Sequence, residues 1–178
     1  MKSGNARGFT LAEILIVVAV IGSIAAVVVP LLSFIDSKRL EVAAEEVGNA
    51  LRFAISEAGR TGGYVMADAQ SNPGHLRIVR SNASGADLGA VSDPLTKRAF
   101  DIDVASAAFS APVAMAPRFL QGGTAYAQLL IGPATQLRAF DGAVDRGPLQ
   151  AGSGIVLSLD SASVTVSIDE ATGRVTLP

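Results

Sequence analysis

Hydrophobic positions change period twice along this chain, and each change marks a change of structure. From Ile14 to Leu32 the residues are apolar without a single charge, interrupted only by Gly22, Ser23 and Pro30. Counted from Phe9, this run is about 24 residues, which at about 1.5 Å per helical residue matches a bilayer core of roughly 30 Å. Beyond it, Leu40, Ala43, Val47, Ala50, Leu51, Ala54 and Ala58 recur at three- and four-residue steps, with Arg39, Glu41, Glu45, Asn49, Arg52 and Glu57 mainly between them. The spacing predicts one helix from Phe9 to about Gly59, apolar all round in its first half and on one face in its second. Pro30 removes a backbone donor and is expected to kink it. Gly22 reads as a small-residue packing contact. Gly59 and Thr61-Gly62-Gly63 stop the helix.

From Tyr64 onward the period falls to two. Strands are expected at 64–69, 75–80, 100–104, 127–131, 136–140, 155–159, 163–168 and 174–177, with an irregular one inside 105–117. Ser71-Asn72-Pro73-Gly74, Gln121-Gly122-Gly123-Thr124, Gly132-Pro133 and Asp141-Gly142 punctuate them. Residues 81–97 and 144–153 read as loops. The last three runs, joined by Asp160-Ser161-Ala162 and residues 169–173, suggest an antiparallel meander packed on the amphipathic half of the helix. A long helix on an antiparallel sheet is an α+β arrangement.

Composition narrows the function more than the fold. The 178 residues carry a net charge of −2, so no basic surface points to nucleic acid. Mean hydropathy is +0.43, high for a soluble protein, and much of the excess lies in the N-terminal run. Cysteine is absent, which excludes a disulfide framework and thiolate metal sites. His75 is the one histidine. It starts a strand and reads as a surface residue, so no Ser-His-Asp set or multi-histidine metal site can be assembled. No glycine-rich loop stands between a strand and a helix to cradle a phosphate. Asp141 with Asp145, or Asp169 with Glu170, could offer oxygens to Ca²⁺, but their spacing lacks the density of a dedicated loop, and they read as solvated turn carboxylates. Asp101 and Asp103 alternate on one strand face and read as solvent-facing. No enzyme, catalytic residue, metal or cofactor is therefore expected.

One carboxylate, Glu13, sits at the mouth of the apolar run. It is either interfacial, with the span beginning at Ile14, or a buried acid; on insertion scales a buried carboxylate costs about 2.5–3.5 kcal/mol and so calls for a partner. Lys2 and Arg7 precede the run with no acid among them, so this end is expected to stay in the cytoplasm while the remainder crosses. An ordinary secretory signal is the competing reading. Its apolar core is about 7–15 residues long and ends in a small-residue cleavage site, whereas this run ends in Val29-Pro30-Leu31-Leu32.

The block Arg7-Gly8-Phe9-Thr10-Leu11-Ala12-Glu13 followed by an apolar helix resembles the N-terminus of type IV prepilins and type II secretion pseudopilins. The resemblance covers about 30 residues and implies a pilin fold. It also implies that residues 1–8 are a leader, removed by a membrane prepilin peptidase between Gly8 and Phe9, with the new amine of Phe9 then methylated. Gly8 matches the last leader residue, Phe9 the first mature residue and Glu13 the assembly acid; Pro30 falls where the family often has a helix-kinking proline. Residues 9–32 would then be the transmembrane and assembly helix, 33–62 its amphipathic half and 63–178 a β-rich periplasmic domain. The segment Leu51–Ala58, then Gly62-Gly63-Tyr64-Val65, is similar to H-type minor pseudopilins and related minor pilins, the GspH/FimT group. The partners implied are prepilin peptidase, other pilin or pseudopilin subunits and inner-membrane lipid. The implied role is a minor subunit of a type II secretion pseudopilus. A type IV pilus minor pilin (adhesion, motility or DNA uptake) and a membrane-anchored binding module remain alternatives.

Overall fold

Residues Leu11–Thr61 form one 51-residue helix, α1, in close agreement with the periodicity. The computed structural model describes residues 10–71, 74–94, 96–104 and 113–177, the side chains of 27–35 excepted. The leader, Gly8 and Phe9 therefore lie outside the described residues, as does the part of the irregular strand placed at 105–112. By contact the chain divides into two compact units, Met1–Ser37 and Lys38–Pro178.

In the second unit, the buried face of α1 is Leu40, Ala43, Ala44, Val47, Ala50, Leu51, Ala54 and Ala58. Five of these eight are alanine, so little side-chain bulk separates the helix backbone from the strands it covers. Gly62, at φ +63°, ends the helix in the left-handed region that favours glycine.

The strands are β1 (Tyr64–Asp68), β2 (His75–Ser81), β3 (Asp87–Ala90), β4 (Asp101–Asp103), β5 (Ala114–Gln121), β6 (Thr124–Tyr126), β7 (Gln128–Gly132), β8 (Gln136–Asp141), β9 (Val144–Pro148), β10 (Gly154–Leu159), β11 (Ala162–Ile168) and β12 (Val175–Thr176). They form two sheets. The seven-stranded one runs β3-β2-β1-β7-β8-β9, with β4 also on β2; the five-stranded one runs β12-β11-β10-β5-β6. All the pairings are antiparallel. The α+β arrangement is thus present, built on two sheets.

One core joins the alanine face of α1 to Val65, Ala67 and Ile78 of the larger sheet and to Phe119, Ile155, Leu157 and Val166 of the smaller. The Phe53 ring of α1 stacks on Phe100, centroids 4.6 Å apart. On the other face of the larger sheet, Met66, Val79, Leu130 and Phe140 make a smaller core. The 81–86 turn closes over it, with Gly85 against the Phe140 ring. Asn82 Oδ1 holds this turn by accepting from the amides of Ser84 and Ala86 and from the Ser84 hydroxyl.

Two stretches expected as loops carry strands. Asp87–Ala90 is short and contains a glycine, and it pairs with β2 through an irregular register between Val79 and Ser81. Val144–Pro148 is an exposed edge with almost no apolar side chain, so alternation could not reveal it. The C-terminal meander is as expected, but β10 continues to β5 and not to the strand preceding it in sequence.

Pro117 sits inside β5 without costing a ladder bond. Ile168 donates its N–H to Ser153, so by alternation Val166 faces β10 and its partner Ile155 faces β11. Pro117, opposite Ile155, consequently points away from β10.

Candidate functional site: the head of the helix

Thr10 precedes the first helical residue, and Glu13 lies three positions on. The Thr10 amide and hydroxyl both donate to Glu13 Oε2, at 2.9 and 3.0 Å, and the Glu13 amide donates back to Thr10 Oγ1 at 3.3 Å. This is a reciprocal capping box, which satisfies amide donors that a helix start otherwise leaves orphaned. The negative charge also lies at the positive end of the helix dipole.

Glu13 is the only charged residue between Arg7 and Asp36. It lies beside an open apolar groove of about 560 Å³ lined by Ile14, Ile16, Val17 and Val18. Leu11, Ile14, Leu15, Ile16, Val17, Val18, Val20, Ile21 and Ile24 are all more than half exposed. A contiguous apolar surface of this kind marks a place of interaction with lipid or another chain. Ser23 does not break its apolar character, because its hydroxyl donates to the Ala19 carbonyl within the helix at 2.8 Å. Among the described residues no helix is long and apolar enough to cross a membrane. The described side chains of the run stop at Ala26, short of its apolar end at Leu32.

The remaining acids fall into local structure. His75 lies between two carboxylates, Nδ1 being 3.1 Å from Asp101 and Nε2 3.4 Å from Asp103, across the β2–β4 pair. Asp141 pairs with Arg146 and Asp145 with Arg138, each at 2.7 Å. Asp169 accepts from the amides of Ala171 and Thr172 and from the Thr172 hydroxyl in its turn. Among the described residues no group of His, Asp or Glu side chains is arranged to hold a metal ion.

One buried polar network escaped the sequence reading. Burial pushes the Asp68 carboxyl up. Hydrogen bonds from the Ser71 hydroxyl, the Gln70 amide, Gln128 Nε2 and the Ser71 amide outweigh it and hold the group below the ordinary value. Gln70 in turn donates to Asp141 and accepts from the Gly142 amide. The network ties the β1 end to the β8–β9 turn. A lone Asp ahead of a turn gives no sequence signal for it.

Fold and helix head together define an α+β protein whose long N-terminal helix begins in a capped, acid-bearing apolar segment. Residues 3–29 match the family described as the prokaryotic N-terminal methylation motif. The match covers the segment before the apolar run and most of that run, Glu13 included. It is similar to crystal structures of the type IV minor pilin FimU of Pseudomonas aeruginosa (strain PAO1) in space groups P21 and P65. Identities are 18% and 17% and TM-scores 0.49 and 0.46, covering 82% and 78% of this chain and 92% of each of those. None of the curated proteins matches the chain.

Proposed function

We propose that this chain is a minor pseudopilin of a type II secretion pseudopilus, cleaved after Gly8, methylated at Phe9 and assembled through its N-terminal helix. The observation that carries the reading is Glu13: one carboxylate, held among the described residues by neutral donors of Thr10, in a run of exposed apolar side chains. Before assembly the apolar run anchors the precursor in the inner membrane, with a short cytoplasmic N-terminus and the β-rich unit on the periplasmic side. After cleavage Phe9 bears an amine. A cationic donor binds a carboxylate more strongly than a neutral one. In apolar surroundings the amine of a neighbouring subunit can therefore draw Glu13 from its own cap. The pair neutralises two charges, and a misregistered subunit would leave one unpaired, so the interaction fixes register more than stability. Transfer from lipid to a bundle of like helices changes little for the apolar faces, because both surroundings are apolar. The absence of cysteine favours a pseudopilin over major pilins, many of which close a C-terminal loop with a disulfide.

Mass spectrometry of the chain recovered from native membranes tests the reading. A methylated phenylalanine at the start is expected. A chain that still begins at Met1 in cells making the peptidase would overturn it.

A further inference from the structure

Among the described residues, the smaller sheet ends on an edge that carries no guard. Strand β12 covers only Ser167 and Ile168 of β11, leaving 162–166 without a strand on that side among the described residues. The direction of the free groups follows from two bonds. Ile168 donates toward β10, to Ser153, and Asp169 donates the other way, to Arg174. By alternation Val164 and Val166 face β10, while Ser163 and Thr165 present both N–H and C=O outward. Both residues are exposed.

Unpaired strand edges invite further strands, and proteins commonly blunt them with charge, proline, bulges or brevity. The other edges among the described strands carry such devices. Edge β9 holds Asp145, Arg146 and Pro148 and an irregular register. The open part of β5 holds Pro117 and Arg118. Edge β3 is four residues long and begins with Asp87, and β4 is three residues with two aspartates. The open stretch of β11, Ala-Ser-Val-Thr-Val, has none of these and is rich in residues that favour strands.

We propose that the 162–166 edge of β11 accepts an extended, uncharged segment of another polypeptide as an added strand, bonded through the outward groups of Ser163 and Thr165. The edge is about 17 Å long at roughly 3.3 Å per residue. A strand of that length buries far less than the roughly 1,200–2,000 Å² of stable globular complexes. It therefore suits a linear segment rather than a second copy of the chain. Backbone bonds would supply affinity, and the small, uncharged Ser163 and Thr165 side chains would favour an equally uncharged occupant. The proposal does not rest on the filament reading, and Glu13→Val leaves it untouched.

The test uses the full chain in detergent micelles and an acetylated, amidated probe peptide, Lys-Gly-Val-Thr-Val-Ser-Val-Gly-Lys. At saturating peptide, amide exchange at Ser163 and Thr165 should slow about tenfold or more, with the β9 and β5 edges unchanged. Thr165→Pro removes one outward donor and should weaken binding about fivefold or more; Thr165→Lys places a guard charge and should abolish it, both with the far-ultraviolet spectrum unchanged. Failure of the peptide to slow exchange, equal slowing in Thr165→Lys, or protection that grows with protein concentration alone would overturn the proposal.

Discussion

Thr10 and Glu13 cap each other: the Thr10 amide and hydroxyl donate to Glu13 Oε2, and the Glu13 amide donates to Thr10 Oγ1. Replacing Thr10 by alanine removes both bonds made by the hydroxyl and costs about 1 kcal/mol of local helix stability. Exchange at the Glu13 amide should accelerate about fivefold in micelles. Thr10→Ser, which keeps the oxygen, should leave it unchanged.

Gly8→Ala sets a bulkier side chain at the proposed cleavage position. Processing should stop, and the chain should accumulate at precursor size on a gel of membrane fractions. A normal mature-size band would show that the peptidase does not depend on Gly8.

Glu13→Val should separate the two steps. If the proposed function holds, cleavage should proceed, because the leader is intact, while incorporation should fall to a small fraction of wild type in sheared filament preparations. Equal incorporation of wild type and variant would remove the charge-pairing account.

Gly154→Ala tests the close approach of β10 and β11. An added Cβ would meet the Val166 carbonyl oxygen far inside contact distance and the Ser167 Cα at 3.1 Å, both backbone atoms that cannot rotate away. The expected loss is about 1–3 kcal/mol. For a chain of this length that is a drop in Tm of roughly 2–4 °C per kcal/mol, read by circular dichroism.

Asp68 should give the second unit an acid-sensitive element. Its folded pKa lies below the ordinary carboxylate value, so the unfolded chain binds the proton more readily. The stability it contributes is complete above the unfolded pKa, about 3.9. That contribution is lost as pH falls through the lower folded value. Between about pH 5 and pH 3 the Tm of wild type should fall more steeply than that of Asp68→Asn, and the variant should already be less stable at pH 7.

The helix, its amphipathic turnover near Leu40 and its glycine stop were legible because each is a local pattern. So were the strands whose alternate residues enter the core, such as β2 and β10. Strands β3 and β9 were not, since their existence depends on neighbours supplied by distant sequence and their side chains stay in water. The join of β10 to β5 is long-range topology, which periodicity does not encode. At the helix head, Glu13 was visible as a lone acid. Its partner Thr10 is also encoded locally, since threonine three residues ahead of glutamate at the start of an apolar run is the sequence signature of a capping box.

The Arg52 guanidinium reaches the Val175 carbonyl across 123 positions of sequence, at 3.2 Å, and Gly48 leaves the notch that the Leu177 side chain enters. Strand β12 is thus latched to a helix that precedes it by more than a hundred positions. A chain in which Val175 has not yet reached α1 lacks this latch, so closure of the unit depends on a contact of high sequence separation and is slow and late.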